Sequence, residues 1–295
     1  MEAPILANAM QPLRVLALTV LAMLAFAGNS LLCRLALKTT AIDAASFTSI
    51  RLVSASLLLS CLVVANRSSV VKNGNWPSAL ALFVYAAGFS FAYVKLPAAT
   101  GALLLFGAVQ ATMISYGLCK GERLLGLRLG GFLLALGGLV ILMLPGLSAP
   151  PLGSATLMLL AGVAWGAYTL RGKGAVNPMA VTAGNFVRTV PMALGVSLIM
   201  AHQFSIDRAG LTYAVLSGAL TSGLGYAIWY KVLPALKATN AATVQLSVPV
   251  IAALGGAVLL GEPLTGLMLG ASGAILLGIL LVLRVPQAGL VKPSA

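Results

Sequence analysis

The sequence is short of charge, and shortest of acid. Of 295 residues, 8% are Asp, Glu, Lys or Arg, and only five are acidic. A soluble domain carries about 25% charged residues. A chain that is 60% apolar cannot cover itself in water, so the composition reads as a polytopic membrane protein. There is one histidine, and the three cysteines (Cys33, Cys61, Cys119) are odd in number, with no CxxC and no Cys/His cluster. Neither a disulfide framework nor a zinc site is indicated. No GxxxxGK[ST] loop is present, which argues against nucleotide hydrolysis. No Ser/His, metal-ligand or paired-carboxylate constellation falls inside the apolar runs, which argues against an enzyme. No cofactor or metal is expected.

What is there is long apolar runs. A spanning helix needs about 20 mostly apolar residues. Ten such runs can be read, at 13–35, 44–65, 77–94, 98–118, 124–144, 152–171, 179–201, 209–230, 235–260 and 264–284. Turn chemistry separates them, as in "NGNWP", "PGLSAPPLG" and "GKGAVNP". The first run contains "LAFAGNS", which imitates a signal peptide. It is read as a retained span because similar runs continue to residue 284.

The net charge of +13 comes from 18 basic residues scattered at the ends of those runs. That pattern is topogenic and does not point to nucleic acid. With the N-terminus cytoplasmic, twelve basic residues lie at inner ends and four at outer ends (Arg34, Lys38, Lys95, Arg208). Both termini are therefore expected in the cytoplasm. The remaining two, Arg51 and Arg188, lie inside spans.

The chain also repeats itself. "GERLLGLRLGG" at Gly121 returns as "GEPLTGLMLGA" at Gly261, with nine identities in eighteen positions. "YVKLPA" at 93–98 returns as "YKVLPA" at 230–235, and Arg51 aligns with Arg188 at the same step of 137. Two halves follow, 13–144 and 152–284, of five spans each. An odd number of spans makes the second half enter from the opposite side. Inverted repeats of this kind belong to secondary transporters, with the substrate near the midplane. The fold expected is all-α, ten transmembrane helices as two inverted five-helix repeats.

Ten spans in two halves, with "LPA" entering spans four and nine and "GE" before spans five and ten, resemble the EamA-type members of the drug/metabolite transporter superfamily. Within it the chain looks most like the YddG-type amino-acid exporters of Gram-negative bacteria. The resemblance implies a bacterial inner-membrane exporter of amino acids, aromatic or other apolar ones among them, and related metabolites. It also implies a central cavity walled by both halves. The alternatives are a broad-specificity drug or metabolite exporter, or a channel. The expected partners are a small-molecule substrate and the lipid bilayer, for a monomer.

Charges within the membrane cost about 2.5–3.5 kcal/mol on insertion scales and mark function by default. For Arg51 and Arg188 the functional reading is attraction of a substrate carboxylate. The competing reading, favoured by their paired placement, is architectural bonding to helix carbonyls, with snorkelling to the nearer interface. All five acids, Glu2, Asp43, Glu122, Asp207 and Glu262, fall at loops or span ends, so proton coupling is not expected to be obligatory. Glu122 and Glu262 are expected to cap spans five and ten. The cavity candidates are Asn29, Tyr85, Phe89, Gln110, Trp165, Tyr168, Asn185, Tyr226, Trp229 and Gln245. Trp165 aligns with Gly28, an asymmetry suited to an apolar pocket. Tyr93 and Tyr230 are expected in the interfacial belt. Pro249 is the hinge candidate, with Pro191 also inside a span. The paired GxxxG glycines are expected to bring spans five and ten together.

Overall fold

The computed structural model describes residues 12–119, 126–143, 149–172, 175–232, 244–245 and 247–284. Ten helices follow one another: α1 Pro12–Thr39, α2 Ala44–Ala65, α3 Trp76–Tyr93, α4 Ala98–Cys119, α5 Leu127–Met143, α6 Leu152–Gly172, α7 Pro178–Ile199, α8 Arg208–Val232, α9 Ser247–Leu260 and α10 Gly266–Arg284. In lipid the backbone must satisfy its own polar groups, which an all-helical chain does. Among the described residues, α1, α2, α3, α4, α6 and α8 are long and apolar enough to cross a membrane. Shorter apolar stretches lie in α5, α9 and α10. The remaining helix, α7, carries Asn185, Arg188 and Pro191 among its small residues. The first part of the ninth expected span, with Pro234, lies outside the described residues.

Polar residues in the turns start the helices. Asp43 accepts from the Ala45 and Ser46 amides at the head of α2. Asn75, Asn177 and Asp207 each accept one amide at the heads of α3, α7 and α8. Such caps stabilise a helix end by about 1 kcal/mol. Pro77 and Pro178 sit in the first turns of α3 and α7, where a missing N–H costs nothing.

The helices then pack in pairs. α3 lies on α6, α2 on α7 and α8, α4 on α6 and α9, and α1 on α8 and α9. α5 and α10 lie against each other, with lighter contact to α4. Leu129, Leu133 and Leu136 of α5 and Leu267 and Leu269 of α10 point outward, as lipid-facing leucines do.

The α5–α10 contact is as expected, but not through the expected glycines. Gly126, Gly130, Gly266 and Gly270 meet no neighbour. The close approach is made one helical stretch later. A methyl group on Gly138 would meet Ile275 and the Ala271 carbonyl, and one on Gly278 would meet the Gly131 carbonyl and Ala135. Small residues do permit the approach; the register of the repeated phrase places Gly138 and Gly278 at the seam.

Two further expectations are overturned. Glu262 does not cap α10. Its Oε2 accepts the Ala98 amide at 2.7 Å, capping α4, and its Oε1 takes Arg34 Nε at 2.8 Å. The loop before α10 folds back under α4, and the carboxylate follows the nearest unpaired amide and cation. Tyr93 and Tyr230 are buried and do not stand in an interfacial belt. Tyr93 packs against Phe89 and over Gly101 instead. Glu122 lies outside the described residues.

Candidate functional site

At the centre of the bundle the aromatic residues converge. Trp165 of α6 has ring centroids of Tyr85, Tyr226 and Tyr168 at 4.8, 4.9 and 5.6 Å. Phe26 of α1 stands edge-on to Trp165, Tyr226 and Trp229. Phe89 sits one turn further along α3 than Tyr85, at 5.5 Å. Offset and edge-on pairs of this kind contribute about 0.5–1.5 kcal/mol each beyond their burial. Four helices, α1, α3, α6 and α8, supply these rings, with Leu105 and Phe106 of α4 closing the wall. The space left between them is about 20 Å³, room for roughly one water molecule.

Beside the rings lies a buried polar cluster. Asn29 Oδ1 accepts from Ser217 Oγ at 2.7 Å, Thr221 Oγ1 at 3.3 Å and Arg51 Nη1 at 3.4 Å. Its Nδ2 donates to the Tyr85 hydroxyl at 3.2 Å. The Arg51 side chain is 1% exposed. Its Nη2 donates to the Ala86 carbonyl at 2.9 Å, and its guanidinium carbon lies 5.0 Å from the Phe89 ring centre and 5.8 Å from that of Tyr85.

Local helix geometry brings Ser217 and Thr221 there. Residues Ser217–Leu224 of α8 form a π-turn, a widening frequent at functional sites. Gly218 within it presses on α2, where a methyl group would strike the Arg51 carbonyl and Ser54. The signal available in the sequence was only the run of small residues "SGALTSGLG".

The two membrane arginines behave differently. Arg188 Nη1 donates to the carbonyls of Asn73 at 2.6 Å and Gly184 at 2.8 Å, and its Nη2 to that of Val71 at 3.1 Å. It ties the α2–α3 loop to α7, the architectural role. Arg51 does not snorkel; it stays among the rings.

Of the residues singled out from sequence, Asn29, Tyr85, Phe89, Trp165 and Tyr226 line the central space. Tyr168 and Trp229 stand behind them against Trp165 and Phe26. Asn185 lies elsewhere, accepting the Asn75 amide and donating to Tyr168. Gln110 shares a face of α4 with Phe106, four residues away. Its Nε2 is buried without a hydrogen-bond partner, which is costly unless a ligand or water meets it. Gln245 is buried. Pro249, the hinge candidate, lies within α9, which follows the helical residues 244–245. Phe26, Ser30, Ser217 and Thr221 were not foreseen.

Comparison with known proteins points to a family. The EamA-like transporter family model matches residues 152–284, which is α6 through α10. An uncharacterized protein of Pseudomonas aeruginosa is 61% identical over 277 residues, covering 94% of this chain and 96% of that one. An uncharacterized transporter of Archaeoglobus fulgidus is 27% identical over 251 residues, covering 81% and 88%. The match to the EamA-like transporter family covers the second half of the chain. A solved crystal structure covering 90% of this chain and 97% of its own aligns with a TM-score of 0.65 at 17% identity, a likeness of fold alone.

For an EamA-like membrane transporter, the buried aromatic and polar chamber between α1, α3, α6 and α8 is the natural candidate site. One end of it is closed. Arg34 Nη1 donates to the Tyr93 and Val94 carbonyls at 2.9 and 3.0 Å while its Nε pairs with Glu262. This joins α1, the α3–α4 turn and the α9–α10 loop above the rings. At the other end, Arg171 of α6 donates to Ser78 Oγ and Asn75 Oδ1 of the α3 head at 3.0 and 3.2 Å.

Proposed function

We propose that this chain is a bacterial inner-membrane secondary transporter that exports amino acids, aromatic or other apolar ones among them, and related metabolites by alternating access. The observation that carries the reading is the chamber. It is assembled from both halves of the chain, apolar in its walls, with one polar cluster, and closed from both sides. That is the composition of a small-molecule site. With only about 20 Å³ between them, the rings part to admit the solute, and Asn29, Tyr85, Phe89, Trp165 and Tyr226 then contact it; Tyr168 and Trp229 support the wall.

The halves, 13–144 and 152–284, act as inverted repeats. What supports this is the reciprocity of the packing. Exchanging each helix for its counterpart five places on turns the α3–α6 contact into α8–α1, α4–α6 into α9–α1 and α2–α8 into α7–α3. The pairs α2–α7 and α5–α10 map onto themselves. Arg34 and Arg171, at a step of 137, hold opposite ends of the chamber. Such a pair of halves has two near-equivalent arrangements, which alternating access requires.

The chamber has no carboxylate among the described residues. Export therefore runs down the solute's own gradient, without an obligatory proton. Both termini face the cytoplasm, and one copy of the chain suffices. The test is a substrate panel in purified proteoliposomes, with and without a pH gradient. Saturable uptake of amino acids that is indifferent to the gradient is expected. Proton flux tracking solute one for one would sink the uncoupled mechanism, and no saturable uptake of any solute would sink the transporter.

A further inference from the structure

Arg51 raises a question of charge. A guanidinium carries five N–H donors and one fixed positive charge. Here its hydrogen bonds go to two neutral oxygens, of Asn29 and Ala86. Among the described residues the salt bridge is that of Arg34 with Glu262, so no carboxylate answers Arg51. A buried cation without a counter-charge is expensive. The faces of Phe89 and Tyr85 offset part of that cost, and a carboxylate arriving from outside would offset more, since Arg is the side chain best shaped for one.

Among the described residues nothing comparable awaits a positive charge. Asp43 and Asp207 are held as helix caps, and Glu262 is held by Arg34 and Ala98. An α-ammonium in the chamber would find Asn29, hydroxyls and rings beside an arginine that repels it.

We infer that the chamber is built for the carboxylate of an organic anion with a flat apolar body. The carboxylate is bound at Arg51 beside Asn29, the body lies among Trp165, Tyr85, Tyr226 and Phe26, and no group is set aside for an ammonium. The inference rests on the chamber being the solute site of the proposed exporter. It narrows the solute class from amino acids to apolar monocarboxylates, with amino acids accepted through their carboxylate.

The test is calorimetric titration of the purified protein with four phenyl probes: 3-phenylpropionate, L-phenylalanine, L-phenylalaninamide and 2-phenylethylamine. The anion binds at least as tightly as the amino acid, and the two probes without a carboxylate bind at least about tenfold more weakly, a difference of about 1.4 kcal/mol. In Arg51→Lys the order of probes is kept with weaker binding. In Asn29→Asp, where a carboxylate of the same shape answers Arg51, binding of 3-phenylpropionate falls by about tenfold or more while 2-phenylethylamine gains. The wild-type series needs no variant to fold. Binding of L-phenylalaninamide within about threefold of 3-phenylpropionate, or no binding of 3-phenylpropionate, overturns the inference. Saturable phenylalanine transport alongside either result leaves the exporter standing. Tight 3-phenylpropionate binding without transport of any solute supports the site and removes the exporter.

Discussion

Asp43 shows how much one side chain can hold at one end of the bundle. Its Oδ1 caps α2, and its Oδ2 accepts the Ser205 amide at 3.1 Å. Ser205 lies between α7 and α8, so one carboxylate joins the two halves of the chain. Burial pushes its carboxyl up, but the bonds from Ser46, Ser205 and Ala45 outweigh that and hold it below its ordinary value of 3.8. A carboxyl held below its unfolded value adds stability that is fully present above about pH 4 and is lost as pH falls through the folded value. Asp43→Asn is therefore expected to melt earlier than the wild type at pH 7. The gap should narrow as the pH falls below about 4, in thermal unfolding of the detergent-solubilised protein. A gap that persists undiminished in acid would mean that the side chain acts through its shape and not its charge. Arg51 and Arg188 carry the same lesson. Residues aligned by sequence have parted in role, one fastening a loop and the other standing charged among rings.

Among the helices, α5 and α10 form a pair packed mainly on each other. The seam is set by Gly138 and Gly278, with Ile275 and Ala135 fitted against them. Gly278→Leu should destabilise the protein by about 1–3 kcal/mol, because the larger side chain has backbone in its way. Gly130→Ala and Gly270→Ala, at positions with no neighbour, should change stability by no more than about 0.5 kcal/mol. Thermal unfolding of the three variants checks this; equal losses in all would return the seam to the repeated GxxxG. At this scale the sequence was largely readable. Apolar length and turn residues located α2 at 44–65 and α6 at 152–171, against Ala44–Ala65 and Leu152–Gly172. The site was only half readable. The rings announced themselves by type, but Ser217 reaches Asn29 across 188 positions. That contact depends on a π-turn and on Gly218 touching α2, and no local pattern encodes either. Glu262 misled for a similar reason. Its place before α10 suggested a cap there, while the chain's path delivers it to α4 and Arg34.

One end of the molecule is tied shut by Arg34 and Glu262. Removing that pair should bias it toward opening at that end. Cys33 reports on this, because it is buried next to Arg34, whereas Cys61 and Cys119 are exposed. In a Cys61→Ser, Cys119→Ser background, a membrane-impermeant maleimide should label Cys33 slowly. Adding Glu262→Gln should speed that labelling by about tenfold, the effect of about 1.4 kcal/mol on an opening equilibrium. Unchanged labelling would show that the pair is an ordinary structural tie.

The central claim is that the chamber carries solute by turns to each side of the membrane. Counterflow tests it most directly. Proteoliposomes loaded with unlabelled phenylalanine and diluted into a trace of labelled phenylalanine should accumulate label transiently above its outside level. Empty proteoliposomes should not. Equal filling of loaded and empty vesicles, without the overshoot, would mean a channel and would contradict the account.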